Sequence, residues 1–443
     1  MAHLVGKDIY QRLAKKIDGL TARTPYNQTF HKILTELYSE KDANVVVQMP
    51  YGLAPLKKIL RTTKMSEKEL LTSLDRLSSR GLVLDLMLGG KTHYMPSPLV
   101  VGIFEFSMMR TGQGVHHKKC AELFHEYMMD SDVFFDANLG KGQKTAIARA
   151  LPHKGSVLDE DYVEVLDFEK ANHLVGEAKR FSVGLCSCRH VKQHMGDKKC
   201  AVPLRSCTSF GKAADYLIRH KLAEEISKQD MLALMVESKE MGLVFNADNV
   251  KRNISFICHC CGCCCHMLQG ISKFGYANTV VSSRFIANLD EKKCKGCHKC
   301  VRACPINAIQ KPVQSQRPEK HEGHVAQGGA PNIDHEFCLG CGVCALKCPT
   351  QALRLVSRKQ KIFYPENTFE RVILTCLEQG TLQNQLFDDP TKITHSFMRF
   401  FVGGFLRLPP IKRALVSDVF RSRFLSMIKS GARAQKKGDV IAV

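Results

Sequence analysis

The chain has no uninterrupted apolar run of about 18 residues, so no segment reads as a membrane-spanning helix. Residues Met1 to Lys16 mix charged and apolar positions without the apolar stretch of a secretion signal, which predicts a cytoplasmic protein. No flavin, nicotinamide or molybdenum motif is visible, so an independent active site built on one of those groups has no support. The nearest approach to a phosphate loop, Gly140-Lys-Gly-Gln-Lys-Thr145, has Gln143 where a glycine must precede the lysine, and it reads as a surface turn. Acidic residues are scarce: 43 Asp and Glu stand against 64 Lys and Arg, a formal charge of +21. That imbalance points to an acidic partner or surface. Hydrophobic residues make up 44% of the 443, an ordinary share, and a chain of this length can bury several cores.

Cysteine, by contrast, is abundant. There are 20, and all but Cys120 and Cys376 fall in tight groups. Adjacent and next-but-one cysteines cannot all pair with sound disulfide geometry. With no export signal, ligation of metal or clusters in a reducing compartment is the better account. Cys120 and Cys376 read as buried small apolar residues.

One group repeats. Cys294-x2-Cys297-x2-Cys300-x3-Cys304-Pro305 is followed by Cys338-x2-Cys341-x2-Cys344-x3-Cys348-Pro349, with similar tails, Ile306-Asn-Ala-Ile309 and Thr350-Gln-Ala-Leu353. Three cysteines at x2 intervals let one turn of chain wrap a cubane and offer backbone N–H groups to its sulfurs. Gly296, Gly340 and Gly342 allow the close approach. Zinc knuckles use CxxC pairs but not this repeated run with its proline. The repeat resembles the two-cluster bacterial-type ferredoxins. That resemblance implies two 4Fe–4S clusters with crossed fourth ligands: Cys294, Cys297, Cys300 and Cys348 on cluster I, and Cys338, Cys341, Cys344 and Cys304 on cluster II. Lys292, Lys293, Lys295 and Lys299 stand among the ligands, where they offset cluster charge. The Gly-, Pro-, Gln- and His-rich linker from Lys311 to Ile333 reads as a mobile surface loop.

Ten further cysteines form the candidate ligands of one or two additional centres: Cys186, Cys188, Cys200, Cys207, Cys258, Cys260, Cys261, Cys263, Cys264 and Cys265. They suffice for two more cubanes with two to spare, and one or two further iron–sulfur clusters are expected, with a zinc site as the alternative. Adjacent thiols bind one iron poorly, so some are expected to be spare or to serve different centres. His190, His259 and His266 are candidate ligands or structural residues. The pattern CSCRH…C…C followed by CHCCGCCCH, taken with the repeat, resembles uncharacterised 4Fe–4S proteins of anaerobes.

Outside the cysteine groups, residues 26–110 resemble a winged helix-turn-helix. Helices fit Asn27–Ser39 and Leu53–Arg61. Ser66 and Glu69 form a capping box that opens a third helix carrying Leu70, Leu74 and Leu77, and Val83–Met87 with Lys91–Met95 form a hairpin. The third helix balances acids against bases and is a poor reader of DNA, so a protein-docking role is favoured over DNA binding. Beyond residue 357, Phe397, Phe400, Phe401 and Phe405 precede Pro409-Pro410. Ile411, Leu415, Val419, Phe420, Phe424, Met427 and Ile428 then make one apolar face of a basic amphipathic helix suited to a membrane surface or an acidic partner.

The expected architecture is multidomain and mainly α with α+β parts: residues 1–25, a helix and linker; 26–110, a winged helix; 111–285, a helical cysteine-rich metal or cluster domain; 286–356, a dicluster ferredoxin-like domain; and 357–443, a helical basic C-terminal extension. The expected function is single-electron transfer to or from a partner oxidoreductase with an acidic docking surface, in the cytoplasm or peripherally at the inner face of the membrane. The alternatives are a redox-sensing winged-helix transcription regulator and a cluster-dependent reductase.

Overall fold

Each of the first three helices starts where a polar side chain satisfies the first free amides. In the computed structural model, which describes residues 8–111, 116–157, 169–312, 329–359 and 362–434, Asp8 caps α1 (Ile9–Asp18) and Asn27 caps α2 (Gln28–Leu37). Ser39 caps α3 (Glu40–Gln48), a helix the sequence does not announce because its second half is the β-branched run Val45–Val47. After β1 (Ala54–Pro55) and α4 (Leu56–Thr63), the Ser66–Glu69 capping box opens α5 (Glu67–Ser79), which buries Leu70, Leu74 and Leu77. The expected hairpin is β2 (Val83–Leu88) and β3 (Lys91–Pro96), in a three-stranded antiparallel sheet of order β1-β3-β2.

The core of this region does not stop at residue 110. Leu13, Phe30 and Leu74 share one buried cluster with Phe104 of α6 (Phe104–Met109), Phe124 of α7 (His117–Met129) and Phe135 of α8 (Val133–Leu139).

The expectation of a helical middle domain is corrected. Residues 148–281 carry a seven-stranded sheet of order β10-β4-β8-β9-β6-β5-β7. Its strands are β4 (Ala148–Leu151), β5 (Phe181–Leu185), β6 (Arg205–Phe210), β7 (Ala223–Ile226), β8 (Val244–Asp248), β9 (Phe256–Cys260) and β10 (Val280–Val281). All neighbours pair antiparallel except β10 with β4. The central strands β4 and β8 are buried along their whole length, so they lack the polar–apolar alternation that reveals a strand. Around the sheet run α9 (Ala171–Glu177), α10 (Ser187–His194), α11 (Gly211–Arg219), α12 (Lys228–Glu240) and α13 (His266–Ser272).

The cysteine repeat forms two matching halves. β11 (Phe285–Leu289) pairs with β14 (Leu353–Ser357), and β12 (Ile309–Gln310) pairs with β13 (Asn332–Ile333). The short helices α14 (Lys299–Ala303) and α15 (Val343–Leu346) follow the second cysteine of each run. Most of the Lys311–Ile333 linker lies outside the described residues.

In the extension, α16 (Thr368–Gln379) packs Ile373, Leu374 and Leu377 against Leu406, Phe424 and Leu425. α17 (Leu382–Leu386) and α18 (Ile393–Leu406) follow. The expected single amphipathic helix after Pro410 is two helices, α19 (Pro409–Val416) and α20 (Arg421–Ala434). Phe424 is buried, whereas Val419 and Phe420, between the two, are exposed. Ion pairs tie the extension inward: Arg371 to Asp248 at 3.0 Å and Lys58 to Asp388 at 2.7 Å. No helix among the described residues is long and apolar enough to cross a membrane.

Candidate metal centres

The repeat gathers its thiols across the two halves. Cys304, Cys338, Cys341 and Cys344 line one space of ≈ 350 Å³ beneath Ile306, Leu339 and Leu355. Cys300 instead feels the charges of Cys294 and Cys348. Each fourth cysteine therefore faces the thiols of the other run. Gly340 (φ +66°) and Gly342 (φ +83°) shape the first space: a Cβ at Gly340 would overlap the Phe285 carbonyl, and one at Gly342 the Ser156 hydroxyl. Burial pushes the Cys341 thiol up to about 12 and Cys344 well above its ordinary value. Cys348 is also raised by burial, but hydrogen bonds from the Leu353 backbone and from Thr350 outweigh it and bring the thiol down. Buried thiols that only a strong cationic partner would deprotonate, set in a cradle a Cβ would fill, fit an iron–sulfur cluster. The two sets differ in access: Cys338, Cys341 and Cys344 are buried, whereas Cys297 is exposed.

The ten middle cysteines separate into two groups. Register explains the first. Cys207 of β6 stands opposite Cys258 of β9, and Cys258 and Cys260 share a face because side chains alternate along a strand. Cys186 and Cys188 sit at the start of α10, and Cys265 precedes α13. Side-chain contacts join them in the row Cys186, Cys188, Cys265, Cys260, Cys258, Cys207. Hydrogen bonds from Cys188 and Cys260 hold the Cys265 thiol well below its ordinary value.

The second group is Cys200, Cys261, Cys263 and Cys264, whose sulfurs all lie within 4.8 Å of one another. A turn after β9 brings the sulfurs of Cys263 and Cys264 to 3.6 Å, whereas Cys260 and Cys265, the sequence neighbours of Cys261 and Cys264, belong to the first group.

Between the groups lies Arg189, almost fully buried, which donates to Ser206 Oγ at 2.5 Å and to the His259 carbonyl. Burial alone would lower its pKa, but the neighbouring thiols of Cys186, Cys261 and Cys260 raise it, so it stands as a fixed cation for both groups. Its place inside CSCRH was the one sequence signal for that role. His190 is occupied by the Met108 carbonyl at 2.6 Å and His194 at 2.8 Å, and His259 by Ser238 at 2.7 Å and Thr208 at 3.3 Å. Neither ring nitrogen of His266 has a partner among the described residues.

The six-thiol row, with Cys261 and Cys264, forms one wall of a half-open chamber of ≈ 1140 Å³, the solvent at its mouth included. Its other walls come from distant parts of the chain: Phe104, Phe135 and Asn138 from the helices before the sheet, and Thr375 and Gln379 from α16. Glu105 also faces it, its carboxyl pushed up to about 8 by burial. Nothing in the sequence marks Glu105, which stands between two core phenylalanines. The turn Gly140–Thr145 is no phosphate cradle, because the amides of Lys144 and Thr145 bind the Glu378 carboxylate at 2.9 and 2.8 Å.

The middle and the repeat are in direct contact. Cys260 and Cys265 share a buried cluster with Ile306, Leu339 and Cys341, against which Cys304 packs. Gly262, inside the four-thiol turn, lies so close to Pro305 that a Cβ there would overlap the Pro305 carbonyl.

Comparison with known proteins agrees with the repeat. Residues 293–352 match the family model of a 4Fe–4S dicluster domain, so the chain contains an iron–sulfur, ferredoxin-like domain. A stretch of 35 residues is 46% identical to one subunit of the ion-translocating oxidoreductase complex, in Escherichia coli O9:H4 (strain HS) and in Escherichia coli (strain K12). The match covers 8% of this chain and 18% of each of those proteins. No solved structure matches the chain.

Proposed function

We propose that the chain is an iron–sulfur electron carrier that passes single electrons between a partner oxidoreductase and a thiolate-held centre on the six-thiol row of its middle region. The observation that carries this is the packing of the middle thiols onto the dicluster domain, through the Cys260–Cys341 core and the Gly262–Pro305 contact. A separate function for the two regions would not need them in one buried cluster. Cys294, Cys297, Cys300 and Cys348 hold one cubane, and Cys338, Cys341, Cys344 and Cys304 hold the second. When bound, each cubane takes up and releases one electron. The exposed Cys297 side is the entrance for a partner, and Lys292, Lys295 and Lys299 around it suit an acidic docking surface. Similarity to a component of an ion-translocating oxidoreductase complex supports a redox partner of that kind.

Residues 26–110 act here as a winged-helix docking module. Three features disfavour DNA. The outer face of α5 carries Glu67, Glu69 and Asp75, and its Arg76 is tied to buried Asp42 at 2.5 Å. The hairpin is held against α11, where Arg219 pairs with Asp85 at 3.1 Å.

Iron and acid-labile sulfide in the anaerobically prepared chain, with EPR of its reduced form, test the proposal. About eight iron atoms from the repeat are expected, with further iron on the six-thiol row. A reconstituted chain holding no iron would sink it.

The chamber favours a second function, that of a cluster-dependent reductase. With the solvent at the mouth counted in both, it is over three times the size of the space lined by the second cubane's thiols, so a centre on the six-thiol row leaves room for a small molecule. Thr375 Oγ1 and Gln379 Oε1 line it, are buried and have no partner among the described residues. They would take a neutral molecule offering both a donor and an acceptor. Calorimetric titration of the reconstituted chain with benzamide is expected to give one saturable site, weakened roughly tenfold in Thr375→Val through the lost hydrogen bond. Absence of binding would leave the carrier function alone.

A further inference from the structure

A single metal ion held by four thiolates sets its own ruler. With metal–sulfur bonds of about 2.3 Å in a tetrahedron, the sulfurs stand about 3.8 Å apart. A cubane puts each thiolate on a different iron and spreads the four sulfurs well beyond that. Cys200 Sγ lies 3.8 Å from Cys261 Sγ and 3.8 Å from Cys264 Sγ, and Cys263 Sγ lies 3.6 Å from Cys264 Sγ. Among the described residues these four are the only group of potential ligands whose donor atoms all fall within 4.8 Å of one another. The thiols of the repeat, which match a cubane-binding family, are not so close, and they serve as an internal control.

We infer that Cys200, Cys261, Cys263 and Cys264 hold one zinc ion in a closed, structural site. Four sulfurs leave no open position for water or substrate, which is the pattern of a structural centre rather than a catalytic one. Among divalent ions offered to such a site, zinc binds above iron. The surroundings supply the charge that a tetrathiolate zinc needs. Arg189 lies against Cys261, and Lys198 donates to the Cys200 carbonyl at 2.5 Å. The ion also does what the local chain does not. Cys200 sits in the irregular segment between α10 and β6, and zinc would pin that segment to the turn that presses Gly262 on Pro305. The ten middle cysteines then divide into four for zinc, of which Cys261 and Cys264 also border the chamber, and six for the row along it. This goes beyond the carrier function, because the ion takes no part in electron transfer.

The test uses the full chain, purified anaerobically, with zinc and iron measured together by mass spectrometry. One zinc per chain is expected, beside the cluster iron. Cobalt(II) added to the zinc-stripped chain is expected to give the visible bands of a tetrahedral thiolate complex. Cys200→Ser should lose at least tenfold in zinc affinity while the EPR of the ferredoxin-type cubanes stays unchanged, and Cys200→His, which keeps four ligands, should retain the ion. Mononuclear iron in place of zinc would overturn the inference. So would a loss of cubane EPR in Cys200→Ser without any change in zinc. Because zinc content and cubane EPR are read separately, failure here leaves the carrier proposal standing, and the reverse also holds.

Discussion

Cys304→Ser is expected to remove the cubane of Cys338, Cys341 and Cys344, and to spare the one of Cys294, Cys297 and Cys300, although Cys304 belongs to the latter run in sequence. The reason is spatial. Cys304 lines the ≈ 350 Å³ space with the second run and feels the charge of Cys338, whereas Cys300 neighbours Cys348. A serine hydroxyl is a far weaker ligand for iron than a thiolate. About four iron atoms should be lost per chain. The reduced protein should then show the EPR of one isolated cubane in place of the broadened spectrum of an interacting pair. The surviving centre is the one beside exposed Cys297, so a soluble paramagnetic relaxing agent should act on it strongly. Cys348→Ser should give the mirror result, with the surviving signal protected from the agent. If Cys304→Ser spared the buried centre and lost the exposed one, the crossed assignment would be wrong.

Local spacing made those eight cysteines legible in the sequence, because each half of a dicluster site is written in eleven consecutive residues, Cys294–Cys304 and Cys338–Cys348. The same holds for the Ser66–Glu69 capping box, whose partners are three residues apart. The middle cysteines were legible only as a supply of thiols. Their division depends on the β6–β9 register that sets Cys207 opposite Cys258, and on a loop that returns Cys200 to Cys261 and Cys264. Neither is encoded at short range. The sheet itself was hidden for a related reason. β4 and β8 are covered on both faces and carry buried polar residues, Arg149 and Asn246 among them, so they present neither alternation nor a clean apolar run. The chamber was beyond reach of sequence because Phe104, Asn138 and Thr375 meet only in the folded chain.

A second large effect is expected at α18. Ile393, Phe397, Phe400, Phe401 and Phe405 follow helical spacing and all point outward; Phe397, Phe400 and Phe401 are 65%, 83% and 67% exposed. Arg407, Arg413 and Arg423 lie on the helix ends and the segments beyond. A face of exposed aromatics followed along the chain by bases suits the boundary of an anionic bilayer. Replacing Phe397, Phe400 and Phe401 by Asp is expected to release the chain from phosphatidylglycerol vesicles in co-sedimentation. Full burial of a phenylalanine is worth about 1.5–3 kcal/mol. Even a third of that at each of the three positions gives a weakening of roughly tenfold to a hundredfold, before the added repulsion of three carboxylates. Folding should be untouched, since all three side chains already face solvent. Charge contributes separately: each base near an anionic surface adds about 1 kcal/mol and is screened by salt. Arg407→Gln with Arg413→Gln should therefore flatten the salt dependence while leaving measurable binding. Equal vesicle binding by the triple aspartate variant and the unaltered chain would remove the membrane from the account of this helix and leave an acidic protein partner as its occupant.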